Sequence, residues 1–383
     1  MGDFVKRALV ALLRRGSYAT FALRVCGSAA VYYLSRRRRE RRGGVILHVG
    51  QHKTGTTSIQ AFLGRQRSVL AKQGIHPLRT GQGADGAHHH LIYRLDGRPL
   101  RRLSSALIKA EFLHAEGVTI LLSSEVAKEV VDQGRGQQLI EALRAVGAGD
   151  VHVLLYVRSP FAFANALYSQ QTSAFTAGGA NFVDYLRSLN HSSYFEYENF
   201  LNLARRENVA LTVRPYDESA RRSAVADFLK AIDVNLPAIE EPRLNRSFGP
   251  VALEAMRVLG EEIVPLKRDE IGKTITIADL SIRYRLRDRL REIAGSIQEE
   301  PFWGMDPEHE ALLAAADRRT DEFARAVWGR GWREVIGDEH RAKNVYDPQD
   351  PAQERLYRHL VHEMRAAKRE MTGSRGTPDR DAC

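Results

Sequence analysis

The chain has 383 residues, enough for one large α/β domain with helical additions. Its apolar fraction of 43% and charged fraction of 27% are ordinary for a globular protein. The two cysteines, Cys26 and Cys383, are not placed for a structural disulfide, and no CxxC pair suggests zinc. The net charge is +10, but residues 1–44 hold eleven Lys/Arg against two acids, so nine of those charges lie there. The remainder is almost neutral, which argues against a nucleic-acid partner on charge alone. A local positive cleft for an anionic cofactor stays open.

Residues 1–43 read as a basic, apolar leader. The run Tyr18 to Leu34 is at the short limit for a bilayer span and contains Arg24. The basic cluster Arg36–Arg42 follows the apolar run instead of preceding it, unlike a signal peptide. An interfacial helix on an anionic membrane surface and an unstructured start are the two leading readings, with a true bilayer span as the third. The expected location is cytoplasmic, peripheral at the inner face of the membrane.

The first strand is expected at Gly44–Val49, followed by a glycine-containing loop and a helix over 57–72 with Ile59, Phe62, Leu63 and Leu70 as its apolar stripe. Gly74–Pro77 is strand-like, and the Gly- and His-rich residues 80–90 read as loop. A helix near 102–115 precedes a strand over 118–122, and a helix over 126–147 follows Glu125. Val151–Val157 has the nearly continuous apolar character of a central parallel strand. Pro160 suits a helix start. A strand over 209–213 and a helix over 219–232 complete the alternation, which predicts a parallel sheet covered on both faces. Beyond 250 the pattern is helical, over 250–259, 279–293, 308–328 and 351–369. The expected organisation is a core over 44–260, a helical part over 261–371 and a polar tail over 372–383.

Strand, glycine loop and helix form the layout of a phosphate cradle, with backbone N–H groups and a helix start receiving the anion. In Gly50-Gln51-His52-Lys53-Thr54-Gly55-Thr56-Thr57 the lysine precedes Gly55 by two positions. A kinase-type loop carries lysine directly after glycine, and a dinucleotide fingerprint needs GxGxxG; neither is present. A Gly/Thr loop with one surface lysine is the bland alternative.

The segment His48 to Gln60 resembles the GxxKTGTTxxQ loop of sulfotransferases that use 3′-phosphoadenosine 5′-phosphosulfate (PAPS). The resemblance extends over residues 44–260, through Tyr156-Val157-Arg158-Ser159-Pro160, Tyr197 to Tyr216, Asp227-Phe228-Leu229 and Asn245-Arg246-Ser247. It implies a three-layer P-loop-type α/β fold around a central parallel sheet, with PAPS as donor and no metal. Gly50, Lys53, Thr54, Gly55, Thr56 and Thr57 would hold the 5′-phosphosulfate, with Lys53 also catalytic. Arg158 would bind the 3′-phosphate. The family's serine on the following helix falls at Ala166, a departure that Ser169 or Asn165 would offset. The implied function is sulfuryl transfer to a hydroxyl or amine of a carbohydrate or glycolipid-like acceptor.

Such a transfer needs a group that removes the acceptor proton. Glu125, after the strand 118–122, stands where open α/β sheets bind ligands, although a carboxylate there also suits a helix start. Among His88, His89 and His90, the last leads into an apolar segment and is the second candidate base. His48 reads as a packed mid-strand residue, and His76 as a group on the acceptor side. Phe302, Trp303, Trp328 and Trp332 would build either core or an acceptor wall. A nucleotide kinase or NTPase, and a non-catalytic anion-binding scaffold at a membrane, are the competing readings.

Overall fold

The computed structural model describes residues 44–95 except 84, then 118–236 except 147, 178 and 191, then 247–263, 277–337 and 341–372, with Ile108 and Glu111 besides. The leader, most of the helix expected near 102–115, and the tail lie outside the described residues. No described helix is long and apolar enough to cross a membrane.

The chain divides into two units. One runs to Arg158 and resumes over Glu196–Leu244; the other comprises Ser159–Phe195 and the chain from Asn245 onward. In the first unit the elements are β1 (Val45–Gly50), α1 (Thr56–Arg65), α2 (Arg67–Lys72), β2 (Ile75–Pro77), α3 (His89–Leu95), β3 (Thr119–Ser123), α4 (Val126–Asp132), α5 (Gly136–Ala145) and β4 (Val151–Val157). The second unit then contributes α6 (Pro160–Ser173) and α7 (Phe182–Asn190). The first resumes with α8 (Glu198–Glu207), β5 (Ala210–Pro215), α9 (Glu218–Arg222) and α10 (Ala224–Ala231).

The five strands form one parallel sheet in the order β2-β3-β1-β4-β5. β1 is central and buried at every residue, as its run Val-Ile-Leu-His-Val-Gly demands. One face of the sheet, through Ile46, Leu121, Leu154 and Tyr156, packs on α1 and α10 around Phe62, Leu63, Val225 and Phe228. The other face is covered by α4 and α8. This is the expected α/β fold with a central parallel sheet. Because the order reverses at β1, the carboxyl ends of β3, β1 and β4 converge where open sheets bind ligands.

Several long expected helices are broken. The helix over 126–147 is two, because Gly134 takes the left-handed conformation (φ 73°) after α4. The helix over 219–232 is also two: Ser223 is extended and caps α10 by accepting the Ala226 N–H. Residues 80–90 are not all loop. Asp85 accepts the Ala87 N–H, the chain turns, and His89 and His90 open α3, anchored by buried Leu91 and Ile92.

The second unit continues with α11 (Pro250–Ile263), α12 (Ile277–Gly295), α13 (Pro307–Ala311), α14 (Ala314–Trp328), α15 (Trp332–Ile336) and α16 (Pro351–Thr372), the expected helical C-terminal additions. Its core includes Phe302, Trp303 and Trp332, and the Trp332 indole packs edge-on against Phe161 and donates to Asp317. These aromatics are therefore packing residues. Asn165 is buried, its amide donating to the Phe302 carbonyl and accepting the Gly304 N–H.

Candidate functional site

The loop after β1 is built by backbone conformation. Lys53 and Gly55 both have positive φ, 67° and 74°. Gly50 is in contact with Thr56: a Cβ there would stand 1.9 Å from the Thr56 methyl, so only glycine fits. At Gly55 a Cβ would stand 2.4 Å from the Ala224 Cβ. The Thr54 hydroxyl closes the turn by donating to the Gln51 carbonyl at 2.6 Å.

Gly55 is the N-cap of α1 and, having no side chain, offers the helix start no side-chain acceptor. The first N–H groups of a helix have no intrahelical partner, and such a start is receptive to an anion. Thr54 and Thr56 are buried, Lys53 is half-buried and Thr57 is exposed.

Arg158, at the carboxyl end of β4, joins this loop. Its guanidinium donates to the Lys53 carbonyl at 2.9 Å, and its backbone N–H donates to Gln51 Oε1 at 3.0 Å. The guanidinium also lies over the Tyr216 ring, 5.5 Å from its centroid. The structure thus joins Arg158 both to Lys53 and to residue 51, a fully buried glutamine that the sequence reading passed over. Ser169 falls in the second unit, where its hydroxyl donates back to the Asn165 carbonyl within α6.

Glu125 precedes α4 at the end of β3 and is buried. One carboxylate oxygen accepts the Thr56 hydroxyl; the other accepts Gln60 Nε2 at 3.1 Å and lies 3.3 Å from His89 Nε2. Burial pushes its pKa up, but the hydrogen bonds from Thr56, its own backbone N–H and Gln60, with the charge of His89, outweigh that and leave it below the usual carboxylate value. Glu125 is therefore ionised at neutral pH.

The structure pairs Glu125 with His89, not with His90, which is exposed. His89 Nδ1 also lies 2.9 Å from the Ser124 hydroxyl. His88 is buried, with Nε2 2.9 Å from the Leu78 carbonyl, a packing role. His76 meets Glu111 at 2.9 Å, and Glu111 in turn accepts the N–H groups of Arg79 and Thr80. The i, i+4 spacing of Glu125 with Glu129 and of His89 with Tyr93 was the available sequence signal for this side of the site.

His48 is wholly buried, its Nδ1 2.8 Å from the Ser123 hydroxyl and its ring edge-on to Tyr156 and Phe228. Burial lowers its pKa to about 4, partly offset by Glu125, so it is neutral. No group of three or more His, Cys, Asp or Glu among the described residues is arranged to hold a metal ion. Comparison with protein-family models, curated proteins and solved structures finds no match to this chain.

Proposed function

We propose that the chain is a PAPS-dependent sulfotransferase, moving a sulfuryl group to a hydroxyl or amine of a carbohydrate or glycolipid-like acceptor. The observation that carries this reading is the union of an uncapped helix start, a lysine ahead of Gly55, and an arginine from the next strand bound to that lysine's carbonyl. Two cationic side chains flanking one helix start suit a nucleotide with phosphates at both its 3′ and 5′ positions. The cytoplasmic, membrane-peripheral location expected from the leader belongs to the same proposal.

In this reading Lys53 and the N–H groups through Thr57 offset charge on the bridging oxygen as its bond to sulfur breaks. The acceptor oxygen forms the new bond to sulfur and gives up its proton. That proton goes to His89, with Glu125 stabilising the resulting imidazolium. Glu125 accepts from Thr56 and Gln60, faces His89 and has a lowered pKa, which suits an orienting carboxylate better than a strong base.

One contact favours a second reading, a magnesium-nucleotide hydrolase: Thr56 donates to Glu125, bringing a strand-end carboxylate to the loop hydroxyl. Titration of the full chain with 3′-phosphoadenosine 5′-phosphate (PAP), AMP and magnesium-ATP separates the two. PAP is expected to bind tightest, with Lys53→Ala and Arg158→Ala each weakening it about 10- to 100-fold, as loss of a charged hydrogen bond does. A preference for magnesium-ATP sinks the sulfotransferase reading.

A further inference from the structure

Beside the loop, two helices present polar faces to each other. α3 carries His89 and Tyr93, and α4 follows Glu125 and carries Glu129; each pair is four residues apart and shares a helix face. The faces meet in two rungs. In the inner rung His89 lies 3.3 Å from Glu125; in the outer rung the Tyr93 hydroxyl donates to Glu129. His52, the residue before Lys53, flanks the outer rung, 3.9 Å from Glu129.

The inner rung belongs to the transfer step proposed above, while the outer rung has no part in it. The outer rung is also open to solvent. Tyr93 is 46% exposed, the most exposed large hydrophobic residue among those described. The Glu129 side chain is 36% exposed, against 10% for Glu125. An aromatic ring fixed at the surface through its own hydroxyl, beside a solvent-facing carboxylate, offers a stacking face and a hydrogen-bond acceptor together.

The charges at the two sides of the site differ in sign. The loop side presents Lys53, Arg158 and the start of α1. The rungs present two carboxylates, and the residues that form them include no lysine or arginine. An anion entering there meets like charge, whereas a hydroxyl or ammonium donor meets an acceptor.

We propose that Tyr93 and Glu129 form the acceptor subsite of this same reading, and that it selects a neutral or amine-bearing sugar and rejects an anionic one. The ring lies on Tyr93, and a hydroxyl or amine donates to Glu129.

The test titrates the full chain, with and without saturating PAP, with methyl glucosaminide, methyl N-acetylglucosaminide and methyl glucuronide, followed by ligand-observed NMR. The glucosaminide is expected to bind several-fold tighter than the N-acetyl sugar, and the glucuronide not measurably. Glu129→Gln should bring the first two sugars to equal affinity while PAP affinity is unchanged. Tyr93→Ala should weaken both roughly tenfold, and Tyr93→Phe, which keeps the ring, much less. Glucuronide binding as tightly as glucosaminide, an unchanged order in Glu129→Gln, or no sugar bound in either state overturns the proposal. Absence of PAP binding overturns the donor reading instead, and the nucleotide-free titration then decides the subsite by itself.

Discussion

The loop Gly50–Thr57 and the seam between α3 and α4 differ in what builds them. The loop is a matter of backbone: two positive-φ residues, one glycine that admits no Cβ, and a helix start without a side-chain cap. The seam is a matter of side-chain pairs, joined by α4, which is polar on both sides. Toward α3 it shows Glu129 beside the preceding Glu125; toward α8 it buries Lys128 and Asp132, bonded at 2.7 Å with side chains only 5% and 6% exposed. The Lys128 ammonium also lies 5.2 Å from the centre of the Tyr197 ring. A local motif can shape the loop, but the seam depends on how far-separated segments are held together.

The largest expected effect tests that dependence from behind the seam. Burial lowers the Lys128 pKa and raises that of Asp132, and their mutual contact opposes both shifts. Lys128→Ala leaves Asp132 buried without its cation and is expected to cost about 3–5 kcal/mol in urea unfolding. Lys128→Met together with Asp132→Leu should cost much less, because no charge is left stranded. A loss for Lys128→Ala within about 0.5 kcal/mol of wild type, as for a surface substitution, would mean that α4 needs no such anchor.

The next effect tests the loop. Gly50→Ala forces a methyl group against Thr56 and is expected to cost about 1–3 kcal/mol in thermal or urea unfolding, as overpacking does. Gly64→Ala is the control of opposite sign. Gly64 lies within α1, nothing would meet its Cβ within 4 Å, and the change should stabilise by about 0.5–1 kcal/mol. Equal and small effects at the two glycines would remove the steric argument for the loop.

These two regions also mark how far the sequence could be read. The parallel sheet was legible because Val45–Val49 and Val151–Val157 are apolar runs, each interrupted by one histidine only and bounded by turn residues. Lys53, Gly55 and Arg158 were legible because strand-end and loop positions have local signatures. Helix ends were less so: Ser223 is unremarkable until its cap on Ala226 is seen. That His89 and not His90 lies by Glu125 depends on α3 starting one residue into the histidine run, which turns neighbouring side chains about 100° apart. The role of Gln51 was hidden because its partner, Arg158, lies just past the end of another strand.

The smallest effect lies beneath both regions, at His48. The unfolded residue takes up a proton near pH 6.5, whereas in the fold it stays neutral down to about 4, because burial disfavours the cation. Between those values the unfolded chain binds more protons, so stability is full above pH 6.5 and falls as the pH falls. The slope from this residue is about 1.4 kcal/mol per pH unit at most. His88, also lowered by burial, adds in the same direction, while Glu125, lowered from the ordinary carboxylate value, contributes only at more acid pH. Urea midpoints at pH 6.5 and 5.5 should therefore drop for the wild type and drop less for His48→Gln. An equal drop in the two proteins would place the acid sensitivity elsewhere. A reduced drop ties it to the ring that contacts Ser123, the same hydroxyl that receives Gln60 from the helix carrying the loop.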